Sequence, residues 1–492
     1  MSETQKVKAG GKSKNAQNNP QRTELESSMS KRFIWAVAYG SSIGWGAFIL
    51  PGDWLAQSGT LGATLGITIG GLLMLIIAVS YGALTAKFPV CGGEFAFSYV
   101  GFGRYFSFIT SWFLVLGYMG IIALNASAFT LLFKFIFPNL FEVGYLYSVA
   151  GWDVYLGEIL LATLVLALFA YISVKGSGLT GKIQFIFCTF IALAVTGLFI
   201  SSFFTGDFSL ENTRPLFGEE NSWLTSILLI VAIAPFMYVG FDNIPQTAEE
   251  FNFNANKTFK LIVFSIVAAI ATYVAMILIT SWTFYDQQSI AGAQWITGSV
   301  VQNAMGVIGM SVLAFAISFG VFTGMNGFYL SSSRLLFALG RANFIPKSFA
   351  KVHSVNKTPY AAVVFVMLIC FAAPWLGRTA LEWIVDTSSV GVSVAFFATS
   401  ATAIKLFSKG KQKNKFFTSF GILGVIISII FLGLLLIPSS PAALTTPSYI
   451  VLAIWIVLGA IFFAMQFKKL KRLSKEELDY MILDEKQNDD KV

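Results

Sequence analysis

The chain has 492 residues, 56% of them apolar and 12% charged, with a net charge of +8 and a mean hydropathy of +0.72. The apolar residues gather in runs of about 20, the length a hydrocarbon core of about 30 Å requires, which excludes a soluble multi-domain protein. The charge lies between those runs rather than in a basic groove, which argues against nucleic-acid binding; a single histidine (His353) and three scattered cysteines (Cys91, Cys188, Cys370) offer no metal site, disulfide framework or histidine proton relay.

Residues 1–30 are polar, carry Lys6, Lys8, Lys12 and Lys14, and lack the apolar stretch of a signal peptide, so a disordered cytoplasmic tail is expected. About twelve transmembrane helices are predicted, near 33–57, 61–86, 105–138, 155–174, 183–204, 222–246, 258–284, 303–333, 359–376, 381–404, 416–437 and 447–467. A second cytoplasmic tail, 471–492, follows a basic cluster that suits anionic headgroups. With the N-terminus inside, the outer segments hold only Arg214 and Arg378, with Lys134 near the outer end of span 3. Basic residues concentrate on the cytoplasmic side, so both termini are placed there. The absence of large soluble domains points to a bacterial inner membrane.

The first span contains its own breakpoint. Residues 39–54, YGSSIGWGAFILPGDW, place Gly40, Gly44, Gly46 and Pro51 where a helix should be continuous. A helix-interior glycine costs up to about 1 kcal/mol and a proline about 3 kcal/mol. In hydrocarbon the freed backbone groups also need partners, so a break is tolerated where it is buried in protein or lines a wet cavity. Alternatively, Gly40 and Gly44 form a close-packing GxxxG face. Span 6 repeats the interruption: residues 234–250, APFMYVGFDNIPQTAEE, repeat in Gly240 and Pro245 the spacing of Gly46 and Pro51. Interrupted helices in the first and sixth positions indicate an inverted-repeat transporter, with spans 1–5 (residues 31–205) and 6–10 (206–408) as the repeats and spans 11–12 (409–470) appended.

Each break would leave amide groups at the start of one half-helix and carbonyls at the end of the other. The amides suit a carboxylate and the carbonyls an ammonium group or cation, so an amino acid fits both. Asp242 lies within the second break, and an acid at that depth is a functional candidate by default. Four roles are open to it: holding a substrate amine, binding a coupling ion, carrying a proton, or hydrogen-bonding the unwound backbone. Glu249 and Glu250 are expected at the cytoplasmic end of span 6 as a solvated gate or cap.

Four segments resemble the amino acid–polyamine–organocation (APC) superfamily of permeases: GSSIGWGAF in helix 1, KFPVCGGEFAFSYVGFG (87–103) in the linker after helix 2, GFDNIPQTAEE in helix 6, and the stretch 325–360 at the end of helix 8. They fall in the family's order. The resemblance implies an all-α polytopic protein of the leucine-transporter type, with substrate contacts at Ile43, Gly44, Trp45 and Gly46 and at Phe236, Val239, Gly240 and Phe241, beside Asp242. The helix 6 aromatics would form an outer lid. Trp45 stands where family members often carry a small residue, so either the substrate is small or the indole forms part of its cradle, the alternative being that it points at another helix. Some proton-coupled relatives carry a lysine within helix 5, but here that run has none, and Lys182 sits at its entrance. Asp242 is then a candidate for coupling, as is sodium held between helices 1 and 8 by Ser318 or Thr323; exchange needs no ion at all. A secondary-active amino acid permease or exchanger is the leading expectation, and an amine or polyamine transporter or amino acid/amine antiporter the alternative. No cofactor beyond a coupling Na+ or H+ is expected, and oligomeric state is left open. The spans show no nucleophile–base pair, metal cluster or phosphate loop, so no enzymatic activity is expected.

Overall fold

The computed structural model describes residues 22–484 except 138, 150–151, 207, 284–294, 378 and 441–442. Apolar runs with few interior charges form the long helices, and nine helices among the described residues are long and apolar enough to cross a membrane. The chain is thus a multi-pass helical membrane protein.

Helix α1 (Lys31–Ile43) and the short α2 (Gly46–Ile49) carry the first predicted span, and α3 (Pro51–Lys87) contains both its remainder and the whole of the second. The chain turns within α3 at Gly59, where φ is +66°. Then come α4 (Gly93–Phe102), a short helix in the linker, and α5 (Arg104–Ile136). A two-stranded antiparallel hairpin follows, β1 (Tyr145–Val149) with β2 (Trp152–Tyr155), pairing Tyr147 with Val154 and Val149 with Trp152. This short hairpin lies in a connection between two spans of an otherwise helical chain, where aromatic and β-branched residues favour a strand pair.

Helices α6 (Leu156–Lys175) and α7 (Ser177–Ser202) precede the second interrupted span. That span is α8 (Trp223–Ala232), α9 (Ala234–Tyr238) and α10 (Asn243–Gln246). The bundle continues with α11 (Thr258–Trp282), α12 (Ile296–Arg341, bent at Gly306), α13 (Tyr360–Cys370), α14 (Thr379–Phe407), α15 (Lys415–Leu436), α16 (Thr446–Arg472) and α17 (Lys475–Leu483). The interrupted elements lie inside: α1 packs on α7, α11 and α12, while α9 packs on α3 and α14.

Where they are described, both tails pack against the bundle. Residues 22–30 are an ordered strap: Met29 pairs with Phe251, its amide donates to the Glu250 carbonyl at 2.9 Å, and Leu25 is buried. At the other end, α17 opens on a Ser474–Glu477 capping box and buries Leu478, Met481 and Ile482. Tyr99 of α4 donates to Asp479 at 2.8 Å, and Arg104 donates to the Leu470 carbonyl at 2.9 Å. Residues 1–21 and 485–492 of the tails, and Arg378, lie outside the described residues.

Candidate functional site

The two sequence interruptions meet in space, backbone against backbone. In helix 1, Gly44 has φ +51° and ψ −151°, a combination that ends α1 and that side-chain-bearing residues rarely adopt. A Cβ there would find only Asn125 Oδ1 of α5, at 4.0 Å, so Gly44 borders open space. Asn125 donates its amide to the Ile121 carbonyl at 2.8 Å, and its buried Oδ1 has no partner among the described residues. Gly40 does the other job considered for this glycine pair. It stays helical, and a Cβ there would lie 2.7 Å from both Cys188 Sγ and Gln184 Nε2 of α7.

The carbonyls freed by the breaks are satisfied from inside the protein, as burial in a membrane demands. The Tyr273 hydroxyl of α11 lies 2.8 Å from the Ser42 carbonyl, 3.3 Å from that of Ile43 and 2.9 Å from that of Met237. Ser42 Oγ lies within reach of two carbonyls, Ala38 at 2.9 Å and Tyr238 at 3.1 Å.

In helix 6 the backbone leaves helical geometry at Val239 and Gly240, the latter with φ +131°. Gly240 abuts Ser41 and Ser42 so closely that a Cβ would fall 2.6 Å from the Ser42 amide nitrogen. Asp242 is fully buried, accepting from the Gly240 amide at 2.6 Å and from the Tyr118 hydroxyl of α5 at 2.8 Å. In this conformation its carboxylate closes the unwound turn. Phe241 is equally buried, stacked on Phe396 at 5.6 Å and edge-on to Tyr81 at 5.3 Å. Val239 and Ile43 are also buried, whereas Trp45 and Phe236 are half-buried; a Cβ on Gly46 would meet Met237 Cε at 2.8 Å.

The two candidate ion ligands do not converge. Ser318 donates to its own helix at the Ala314 carbonyl, 2.9 Å away. Thr323 Oγ1 lies 3.0 Å from the Gly40 carbonyl and 2.9 Å from that of Gly320, bridging helices 1 and 8. Between those helices stands Gln184 of α7, whose Nε2 donates to the Thr323 carbonyl at 3.0 Å and lies 3.4 Å from that of Ala36. Its Oε1 accepts from Asn326 at 2.8 Å. A neutral amide therefore links helices 1, 5 and 8 at this level.

A model of the family described as "Amino acid permease" matches residues 34–462, nearly the whole chain. The chain belongs to the amino acid permease family. It is 25% identical over 467 residues to the branched-chain amino acid permease BcaP of Bacillus subtilis (strain 168), covering 89% of this chain and 92% of that one. Histidine permease HisP of Lactococcus lactis subsp. cremoris (strain MG1363) is 24% identical, over 93% and 98% of the two chains. The methylthioribose transporter of B. subtilis (strain 168) is 24% identical, over 92% and 95%. The protein is a membrane permease rather than an enzyme.

At the end of the permease that carries both described termini, the expected solvated gate is instead buried. Glu250 is 2% exposed and accepts from both Nε and Nη2 of the fully buried Arg334, at 2.8 and 3.2 Å. Glu249 is gripped by Arg341 at 2.9 Å, by Arg22 at 3.0 Å and by the Cys91 amide at 3.3 Å, and Arg22 also reaches Asp484 at 3.1 Å. Burial alone would raise the Glu249 carboxyl, but the Arg341 and Arg22 guanidiniums outweigh it and hold it below the usual carboxylate range. A depressed carboxyl stabilises the fold fully above its unfolded value of about 4.3, and that stabilisation is lost as pH falls through the lower folded value. Thermal unfolding in detergent should therefore show part of its acid-side loss abolished in Glu249→Gln. Identical pH profiles for the two proteins would contradict this.

Proposed function

We propose that the permease is a secondary-active transporter of neutral amino acids working by alternating access. It would have twelve spans in an inverted five-plus-five arrangement with two appended helices, both termini in the cytoplasm, and a cell membrane, the bacterial inner membrane, as its location. The observation that carries the reading is the meeting of the two breaks at Gly240 and Ser42 beside the open space at Gly44. The start of the half-helix Gly46–Ser58, continuous through Leu50, offers amides to a substrate carboxylate. Asn125 Oδ1 supplies an acceptor for the ammonium group. Half-buried Trp45 and Phe236 flank the substrate side chain, with Phe236 as lid.

The amine reading rests on Asp242, and each of its carboxylate oxygens is already bonded within the protein. An amino acid is therefore the better-supported substrate, and the branched-chain permease among the relatives agrees with a neutral one. Gln184 argues against sodium between helices 1 and 8, because its amide donates to the Thr323 carbonyl and lies against that of Ala36 there, while Ser318 bonds its own helix. Counterflow in proteoliposomes loaded with leucine, isoleucine, valine, histidine or putrescine tests the assignment without assuming any coupling ion. Signal from a neutral amino acid is expected, and signal from putrescine alone would overturn it. Asn125→Leu, which keeps the branched shape but removes the acceptor, should weaken substrate affinity by about tenfold, the worth of one hydrogen bond to a charged group. An unchanged half-saturation concentration would remove Asn125 from the site.

A further inference from the structure

Behind the helix 6 break lies a second buried acid that the binding site does not use. Glu94, on the first turn of α4, is completely buried. Gln246 of α10 donates through Nε2 to Glu94 Oε2 in a short contact. Glu94 Oε1 has no hydrogen-bond partner among the described residues, and neither has Gln246 Oε1. The Tyr81 hydroxyl of α3 lies beside the same carboxyl. Those two acceptors share one neighbouring donor, the Tyr81 hydroxyl, so while Glu94 is ionised at least one buried oxygen is left without a hydrogen, and such an orphan costs about 1–3 kcal/mol. One proton on Glu94 removes the imbalance, because the acid then donates where it could only accept.

The charged and titratable groups around this carboxyl offer it no cation. From helix 6 it faces Asp242, another acid, and from α5 it faces Tyr118, which donates to Asp242. Arg104 of α5 donates to the carbonyls of Leu470 and Leu473. On α12, Arg334 is held by Glu250 and Arg341 by Glu249. On α14, Lys405 donates to the Gly101 carbonyl and Asp386 accepts from Ser448. No ion pair reaches Glu94 among the described residues.

We propose that Glu94 is the coupling site for a proton, which it takes up from solvent on one side of the membrane and returns to solvent on the other, once per transported substrate. The step breaks an O–H bond of hydronium, forms the O–H bond of the carboxylic acid, and is reversed on release. The gate is the join between α4 and α10. The Gly92 amide donates to the Gln246 carbonyl at 3.4 Å, Cys91 pairs with Thr247, and Gly93 lies directly on Pro245. With that join closed, as here, Glu94 is sealed and neutral. Movement of α10 takes Gln246 away, lets water in, and releases the proton, so the state of Glu94 follows the helix that carries the substrate break.

This assignment rests on the transport reading above, and the test separates the two. Proteoliposomes are given a gradient of one pH unit with the membrane potential clamped at zero, using the amino acid with the strongest counterflow signal. At one proton per substrate, the wild type should accumulate it about tenfold. Glu94→Gln should keep counterflow but accumulate nothing above equilibrium. Gradient-driven accumulation persisting in Glu94→Gln, or absent from the wild type, would overturn the proposal. Should Glu94→Gln not fold, Glu94→Asp retains the acid on a shorter arm, and the pH midpoint of its driven uptake should move; an unmoved midpoint would count against Glu94. Absence of counterflow from the wild type for every amino acid would instead overturn the amino acid reading, and this proposal with it.

Discussion

Glu250→Ala is expected to destabilise the permease by about 3–5 kcal/mol, because it strands the fully buried Arg334 without its carboxylate. The Glu250–Arg334 pair ties the end of helix 6 to the end of α12 through two hydrogen bonds. Its desolvation was already met in folding, so removing one partner forfeits the attraction and keeps the penalty. Replacing both residues by apolar ones of similar volume, Glu250→Leu with Arg334→Met, should recover most of the lost stability. Thermal unfolding in detergent reads both variants. A single variant as stable as the wild type, or a double variant no better than the single, would show that the pair is not buried as described.

Gly240→Ala should abolish transport, whereas Gly46→Ala should leave most of it. A methyl at Gly240 would land 2.6 Å from the Ser42 nitrogen and 2.7 Å from the Ser41 carbonyl carbon, both backbone atoms of helix 1. It would also sit on a residue with φ +131°, outside the regions open to alanine. Overpacking of this kind costs about 1–3 kcal/mol, and relief here requires separating the two breaks. At Gly46 the added methyl meets Met237 Cε at 2.8 Å, the mobile end of a flexible side chain. Uptake and thermal stability measured on both variants decide the point, and equal effects would show that the two glycines are not distinguished by what they touch.

The long helices and both interruptions were legible in the sequence, because a hydrocarbon environment writes its length into apolar runs and glycine, proline and aspartate stand out within them. Less legible was which face of a helix meets which neighbour. Tyr273 and Gln184 lie in runs where any face might be buried, and their roles depend on carbonyls freed in other helices. Asn125 and Gln184 did carry a signal, since an amide inside an apolar span needs a partner. Glu94 lies in the linker between predicted spans, and its burial comes from the docking of α4 on α5, α14, α10 and α12, which the sequence alone does not show. The ordered strap at residues 22–30 escaped notice for a similar reason: Arg22 finds a counter-charge in Glu249, far away in sequence. Among the expected site residues, Phe241 and Asp242 are held in internal contacts, while Gly44, Trp45 and Phe236 remain beside or near open space.

The Tyr273 hydroxyl faces three acceptors, the Ser42 and Ile43 carbonyls of helix 1 and the Met237 carbonyl of helix 6, but has one hydrogen to give. The acceptors therefore take turns. Were one half-helix to slide against the other, the hydrogen would pass to the carbonyl still within reach, and the bond count would be the same before and after. Such a hydroxyl is built as a swivel: one donor within reach of carbonyls on both interrupted helices would serve them at more than one offset, where a one-to-one bond would hold them at one.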